Sequence, residues 1–84
     1  MNSRHRRTLA AVFAKPILAN IEWSAIEALL LAVGCRIVEG DGSRVRFERG
    51  GMVEVFHRPH PRKEAKPYVV RNAAAYTERL GVKP

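Results

Sequence analysis

Two histidines three residues apart, His57 and His60, are the groups in this chain best suited to move protons. Imidazole holds or releases a proton near neutral pH, so a pair can serve as base and acid. They open a stretch, His57 to Pro67, that holds two His, two Arg, two Lys, three Pro and a single acid, Glu64. RNA carries its own nucleophile, the 2′-hydroxyl. Cleaving it needs a base for that hydroxyl, an acid for the leaving 5′ oxygen, and cations around the crowded phosphorus. The segment contains those kinds of group: His57 and His60 for the protons, and Arg58, Arg62, Lys63 and Lys66 for phosphate. His57 and His60 also have the spacing of half a metal site. No third ligand is evident, and Glu64 amid cations is a poor one. No metal and no cofactor are expected. Ser43 and Asp41 could be drawn into a triad with a histidine, but nothing in the spacing fixes such a geometry. His5 reads as a surface residue and Cys35 as a small buried apolar one.

The charge of the whole chain points the same way. The 84 residues carry 15 Lys and Arg against 8 Asp and Glu, a net charge of +7. Arginine dominates the cations, and its planar fork grips phosphate in a way lysine cannot. A small, basic, arginine-rich domain suggests a polyanionic partner, nucleic acid first. The length leaves room for one small domain and excludes large-cofactor enzymes and barrels. One cysteine excludes a disulfide framework. The longest apolar run, from Ala28 to Val33, is far below the roughly 20 residues that span a bilayer. The apolar stretch after Thr8 ends too early, at Lys15 and Pro16, to be a secretory core. No membrane partner and a cytoplasmic location are expected.

The elements that must position these groups follow from periodicity. Leu9, Val12 and Phe13 make a short apolar stripe on a first helix, capped by Ser3, reaching about Ala14 and stopped before Pro16. After a linker over residues 16–22, Ser24 and Glu27 have the spacing of a capping box. Trp23, Ile26, Leu29, Leu30 and Val33 follow helical spacing, and Gly34 stands where a left-handed cap belongs. Trp23 reads as a core anchor. Three strands follow, Cys35–Glu39, Ser43–Arg49 and Met52–His57, the last two joined by Gly50-Gly51, a good hairpin turn. On the second strand Val45 and Phe47 face one way, and Arg44, Arg46 and Glu48 the other. A last helix carries Val69, Val70, Ala73, Tyr76, Thr77 and Leu80 and ends at Gly81. The expected fold is α+β: a three-stranded antiparallel sheet with helices on one face, in the order α-α-β-β-β-α. Residues 1–20 form a helical extension and linker, and residues 21–84 the working domain. Strand parity puts His57 on the same face as Val53 and Val55, read as the helix side. A bulge or twist at Pro59 is then required to bring His57 round to the arginines.

Four features in order resemble the HicA family of toxin endoribonucleases from bacterial toxin–antitoxin modules. They are the capped helix ending in Leu29-Leu-Leu-Ala-Val-Gly34, the strand opening Gly42-Ser-Arg-Val-Arg-Phe47, the segment Pro59-His-Pro-Arg-Lys-Glu64, and a last helix ending in Gly81-Val82. The resemblance covers about residues 22–82. It implies a fold similar to a double-stranded-RNA-binding domain, cleavage of mRNA that arrests translation, and a HicB-type antitoxin that covers the active surface. One position departs from the family. The usual pattern is Gly-Ser-His, with that histidine catalytic, whereas this chain has Gly42-Ser43-Arg44. Arginine stays protonated and is no general base at neutral pH.

Three readings follow. A histidine of the proline-rich segment takes over, or Arg44 stabilises the transition state while a histidine moves the proton, or cleavage is lost and RNA binding kept. The first two combined are preferred. His60 aligns with a histidine common in the family's proline-rich segment, and His57 is the extra one. The expectation is therefore a metal-independent endoribonuclease toxin. His60, His57 and Arg44 are its catalytic residues, and Ser43, Arg46, Arg58, Arg62, Lys63 and Lys66 contact RNA. The alternative is a non-catalytic RNA-binding module.

Overall fold

The computed structural model describes all residues, 1–84. Helix α1 (Ser3–Val12) and helix α2 (Trp23–Ala32) precede strands β1 (Arg36–Glu39), β2 (Arg44–Arg49) and β3 (Met52–His57), and helix α3 (Pro67–Arg79) closes the chain. The expected α+β order and the three-stranded antiparallel sheet are both present, with strand order β1-β2-β3. The two residues of the hairpin turn, Gly50 and Gly51, have φ of +57° and +83°. Positive φ at both positions gives a turn whose twist matches that of paired strands, and only glycine takes it without strain.

Helices α2 and α3 stop by one device. In α2 the Cys35 N–H reaches back to the Leu30 carbonyl and the Gly34 N–H to Leu31; in α3 the Val82 N–H reaches Thr77 and the Gly81 N–H reaches Glu78. This double bond pattern around a left-handed glycine satisfies carbonyls that would otherwise lack partners. The helix starts differ from expectation. Asn2 caps α1, its side-chain oxygen accepting from the His5 N–H at 2.9 Å, so Ser3 lies inside the helix, which ends at Val12. Ser24 and Glu27 form no capping box. Instead the Trp23 N–H donates to the Lys63 carbonyl at 2.9 Å and the Ala65 N–H to the Ile21 carbonyl at 2.8 Å. The start of α2 is thus held by backbone bonds from a distant loop, and the Glu27 carboxylate is free for other partners.

The core lies between the helices and the inner face of the sheet. Phe47 of β2 and Phe56 of β3 meet Trp23 of α2 and Tyr76 of α3, with ring centroids 5.5–6.3 Å apart and mostly edge-to-face. Such geometry aligns ring edges with ring faces and adds to the benefit of burial. Trp23 is a core anchor, as expected. Leu9 and Val12 of α1 are buried in the same cluster, so the first helix is a packed part of this core.

Candidate active site

The hairpin register decides where His57 points. Arg44 pairs with His57, Arg46 with Val55 and Glu48 with Val53. Directly paired residues project from the same face of a sheet, so His57, Val53 and Val55 stand on the outer, arginine-bearing face. The parity expected from the sequence is right and the face is wrong: Val53 and Val55 are exposed, and Phe56 is the buried residue of β3. No bulge interrupts the pairing. Glu54 is tolerated on the inner face because its carboxylate accepts from Arg79 of α3 at 2.7 Å. The Arg58 N–H donates to the Ser43 carbonyl at 2.8 Å. That makes Ser43 and Arg58 a hydrogen-bonded pair and the next pair, Arg44 with His57, a narrow one, in which side chains stand closest.

Beyond β3 the chain runs as an ordered loop to α3. Its far end is held by the two backbone bonds to α2. Its near end is held by Arg58, whose guanidinium donates to both oxygens of Glu39 at 3.2 and 3.3 Å and, through Nε, to Glu27 at 3.3 Å. Glu27 also accepts from the Trp23 indole at 2.8 Å. The bonds to Glu39, then to Glu27, hold the Arg58 guanidinium still more firmly protonated than usual. Arg58, expected to contact RNA, is therefore engaged by two carboxylates of its own chain. They lie 19 and 31 residues away in sequence, which is why the local pattern did not reveal them.

The loop path closes a cleft of about 180 Å³ lined by Ser43, His57, Arg58, Pro59, His60, Lys66, Tyr68 and Val69. Both histidines line it, together with the Ser43 position, the Lys66 ammonium and the start of α3. Helix α3 begins with Pro67 and has no side-chain cap and no acid in its first turn. Pro67 has no N–H, and the Val69 and Val70 N–H groups donate to the Lys66 carbonyl, so Tyr68 supplies the one free amide of this first turn, where the helix dipole favours an anion. Tyr68 is the cleft residue that the sequence reading missed. Its signal was its position: an aromatic one place outside the apolar stripe of its helix, exposed at 45%.

The other expected RNA contacts flank this cleft. Arg44 and Arg46 line a depression on the outer sheet face with Asp41 and Val55. Arg62 and Lys63 line another beside Glu22 and Ser24 at the start of α2. Arg44, Arg46, Arg62, Lys63 and Lys66 form no ion pair. No group of three His, Cys, Asp or Glu side chains is arranged to hold a metal ion, and no helix is long and apolar enough to cross a membrane.

No curated protein and no solved structure matches the chain. Residues 23–78, from the first residue of α2 almost to the end of α3, take in the whole sheet and the histidine cleft. They match the family described as "HicA toxin of bacterial toxin-antitoxin", and the chain belongs to that family.

Proposed function

We propose that the protein is a metal-independent endoribonuclease that cleaves mRNA, arrests translation, and is restrained by a HicB-type antitoxin. The single observation that carries this reading is the shared cleft of His57, His60, Lys66 and the uncapped start of α3. An RNA phosphate held there has the Lys66 ammonium and the Tyr68 amide at the start of α3 for its non-bridging oxygens. One imidazole takes the 2′-hydroxyl proton as that oxygen attacks phosphorus. The other, protonated, gives its proton to the departing 5′ oxygen. The products are a 2′,3′-cyclic phosphate and a 5′-hydroxyl.

Arg44 occupies the position where the family pattern has histidine. As the cross-strand partner of His57, it supplies positive charge to the transition state while the imidazoles move protons. Ser43, Arg46, Arg62 and Lys63 hold the flanking RNA. Tyr68 offers an exposed ring on which a base can stack. Arg58 acts indirectly, by fixing the backbone between the two histidines. Residues 1–20 supply α1 as added packing for the domain over residues 21–84, and the protein works in the cytoplasm.

The test is incubation of purified protein with single-stranded RNA in excess EDTA, beside a His60→Ala variant. Wild type is expected to produce fragments ending in cyclic phosphate, and the variant to be slower by about 10²-fold or more. RNA bound but uncut by wild type would overturn the reading in favour of a non-catalytic RNA-binding module.

A further inference from the structure

The two edges of the sheet are unequal. β1 is four residues long; its Ile37 is half-buried, and its Glu39 is occupied with Arg58. β3 is six residues long and pairs only with β2. The Arg58-to-Ser43 bond and the two-residue turn fix which β3 groups face β2. By alternation, the N–H and C=O groups of Val53, Val55 and His57 face away from it. None of these groups has a hydrogen-bond partner outside the strand ladder. Natural edge strands are usually blunted by a lysine, a proline, a bulge or an outward charge. β3 has none on this side: its only charge, Glu54, turns inward to Arg79, and Val53 and Val55 stand 45% and 40% exposed.

We propose that the free edge of β3 takes a fourth strand from an acidic partner protein, whose alternate side chains cover Val53 and Val55 and whose backbone closes over His57. This rests on the reading of the chain as a toxin restrained by an antitoxin. Main-chain bonds to Val53, Val55 and His57 supply affinity, and alternate side chains supply specificity. The choice of an acidic protein follows from charge. The outer face of the strands carries Arg36, Arg44 and Arg46 against Glu48, which is paired with Arg36 at 2.7 Å, while Asp41 lies in the β1–β2 turn and forms no ion pair with Arg44 or Arg46. An added strand lies two strand spacings from β2, roughly 9.6 Å. Arginine and glutamate side chains span that together, across the small valines. A second copy of this chain, at +7, meets like charge instead. A strand laid there seals the His57 side of the cleft, so partner binding and RNA access exclude each other.

The test uses isotopically labelled protein titrated to millimolar concentration with a blocked ten-residue peptide of alternating glutamate and valine. A lysine–valine peptide of the same length is the control. The acidic peptide is expected to shift and protect from exchange the amides of Val53, Val55 and His57, with the lysine peptide at least tenfold weaker. Val55→Pro removes one outward N–H without touching the ladder to β2, and is expected to weaken binding about tenfold. Val55→Glu, which keeps the backbone intact and sets a like charge against the added glutamates, is expected to weaken it several-fold should the proline variant fold poorly. No protection at these amides, protection by the peptide-free protein as it self-associates, or protection by single-stranded RNA alone would each overturn the proposal. Exchange is read without cleavage, so failure of the edge leaves the ribonuclease reading intact, and absence of cleavage leaves the edge intact.

Discussion

The two faces of one sheet do different work. The inner face presents Val45, Phe47 and Phe56, each 2% exposed or less, to Trp23 and Tyr76. The outer face, on the same strands, presents Arg44, Arg46, Glu48, Val53, Val55 and His57, most of them open to solvent. The difference is one residue of register: neighbours in sequence turn alternately to the core and to solvent. Stability in a domain of this size comes mainly from the inner face, because so little surface is available to bury. The outer face is therefore free to carry unpaired cations and an exposed edge. Truncations of the buried inner-face rings should cost much of the stability, and substitutions at the unpaired outer-face residues should change mainly what the protein binds.

The sharpest contrast is between adjacent residues. Phe56→Ala removes a ring packed against Trp23, Phe47 and Tyr76 and should cost about 3–5 kcal/mol, much of the total stability of a domain this small. Val55→Ala should cost no more than about 0.5 kcal/mol. Urea denaturation of the two variants measures both. Equal losses would mean that the outer face is also a packed surface.

Arginines give the next contrast. Arg58 bridges Glu39 and Glu27; Arg46 bridges nothing. Arg58→Ala should destabilise by about 1–2 kcal/mol, a figure held down by the partial exposure of the network. Arg58→Lys, which keeps the charge but not the fork, should recover only part of it. Arg46→Ala should leave the denaturation midpoint unchanged and lower the salt dependence of RNA binding by about one phosphate contact. A loss of stability in Arg46→Ala, or none in Arg58→Ala, would reverse the roles given to these two residues.

A smaller effect belongs to the inner face at its margin. The Tyr76 hydroxyl donates to the Met52 carbonyl at 2.9 Å, and Cys35 donates to that hydroxyl at 3.8 Å. Burial first, and then the Cys35 contact, push the phenol well above its ordinary range. Tyr76→Phe should cost about 1 kcal/mol near neutral pH. The sign with pH follows from the raised value. The tyrosine's contribution is complete below pH 10, where neither folded nor unfolded phenol ionises. It is lost above that, as the unfolded chain ionises first. Wild type should therefore fall toward Tyr76→Phe in alkali, and a gap that widens instead would refute the assignment.

What could be read from the sequence follows the same division. Helical stripes, both glycine stops and the Gly50-Gly51 hairpin are local, and each was legible from neighbouring residues. The cationic face of β2 was legible because its alternation is clean. The face of His57 was not, because β3 reads Val-Glu-Val-Phe-His. Two valines invited burial, but one phenylalanine outweighs them, and Glu54 is affordable inside only because Arg79, 25 residues on, meets it. Arg58 and the start of α2 failed for a related reason: their partners come from other elements. The gathering of His57, His60 and Lys66 in one cleft depends on both ends of the loop being fastened, and neither fastening is local.

The smallest effect tests the outer face alone. The Glu48 carboxylate accepts from Arg36 Nε at 2.7 Å and from the Gly51 N–H at 3.0 Å, tying β1 to the hairpin turn. The bond from Arg36 first, and the turn amide second, hold its pKa below the usual carboxylate range. A carboxylate depressed in the folded state stabilises fully above its unfolded pKa, and that contribution drains away as pH falls through the folded value. Both partners are at the surface, so the effect is modest. Thermal midpoints of wild type and Glu48→Gln, followed from neutral pH down through about pH 3, should converge. Parallel curves would mean that Glu48 does not hold the turn, and that the register bringing Arg44 opposite His57 is kept by the inner face without help from the outer one.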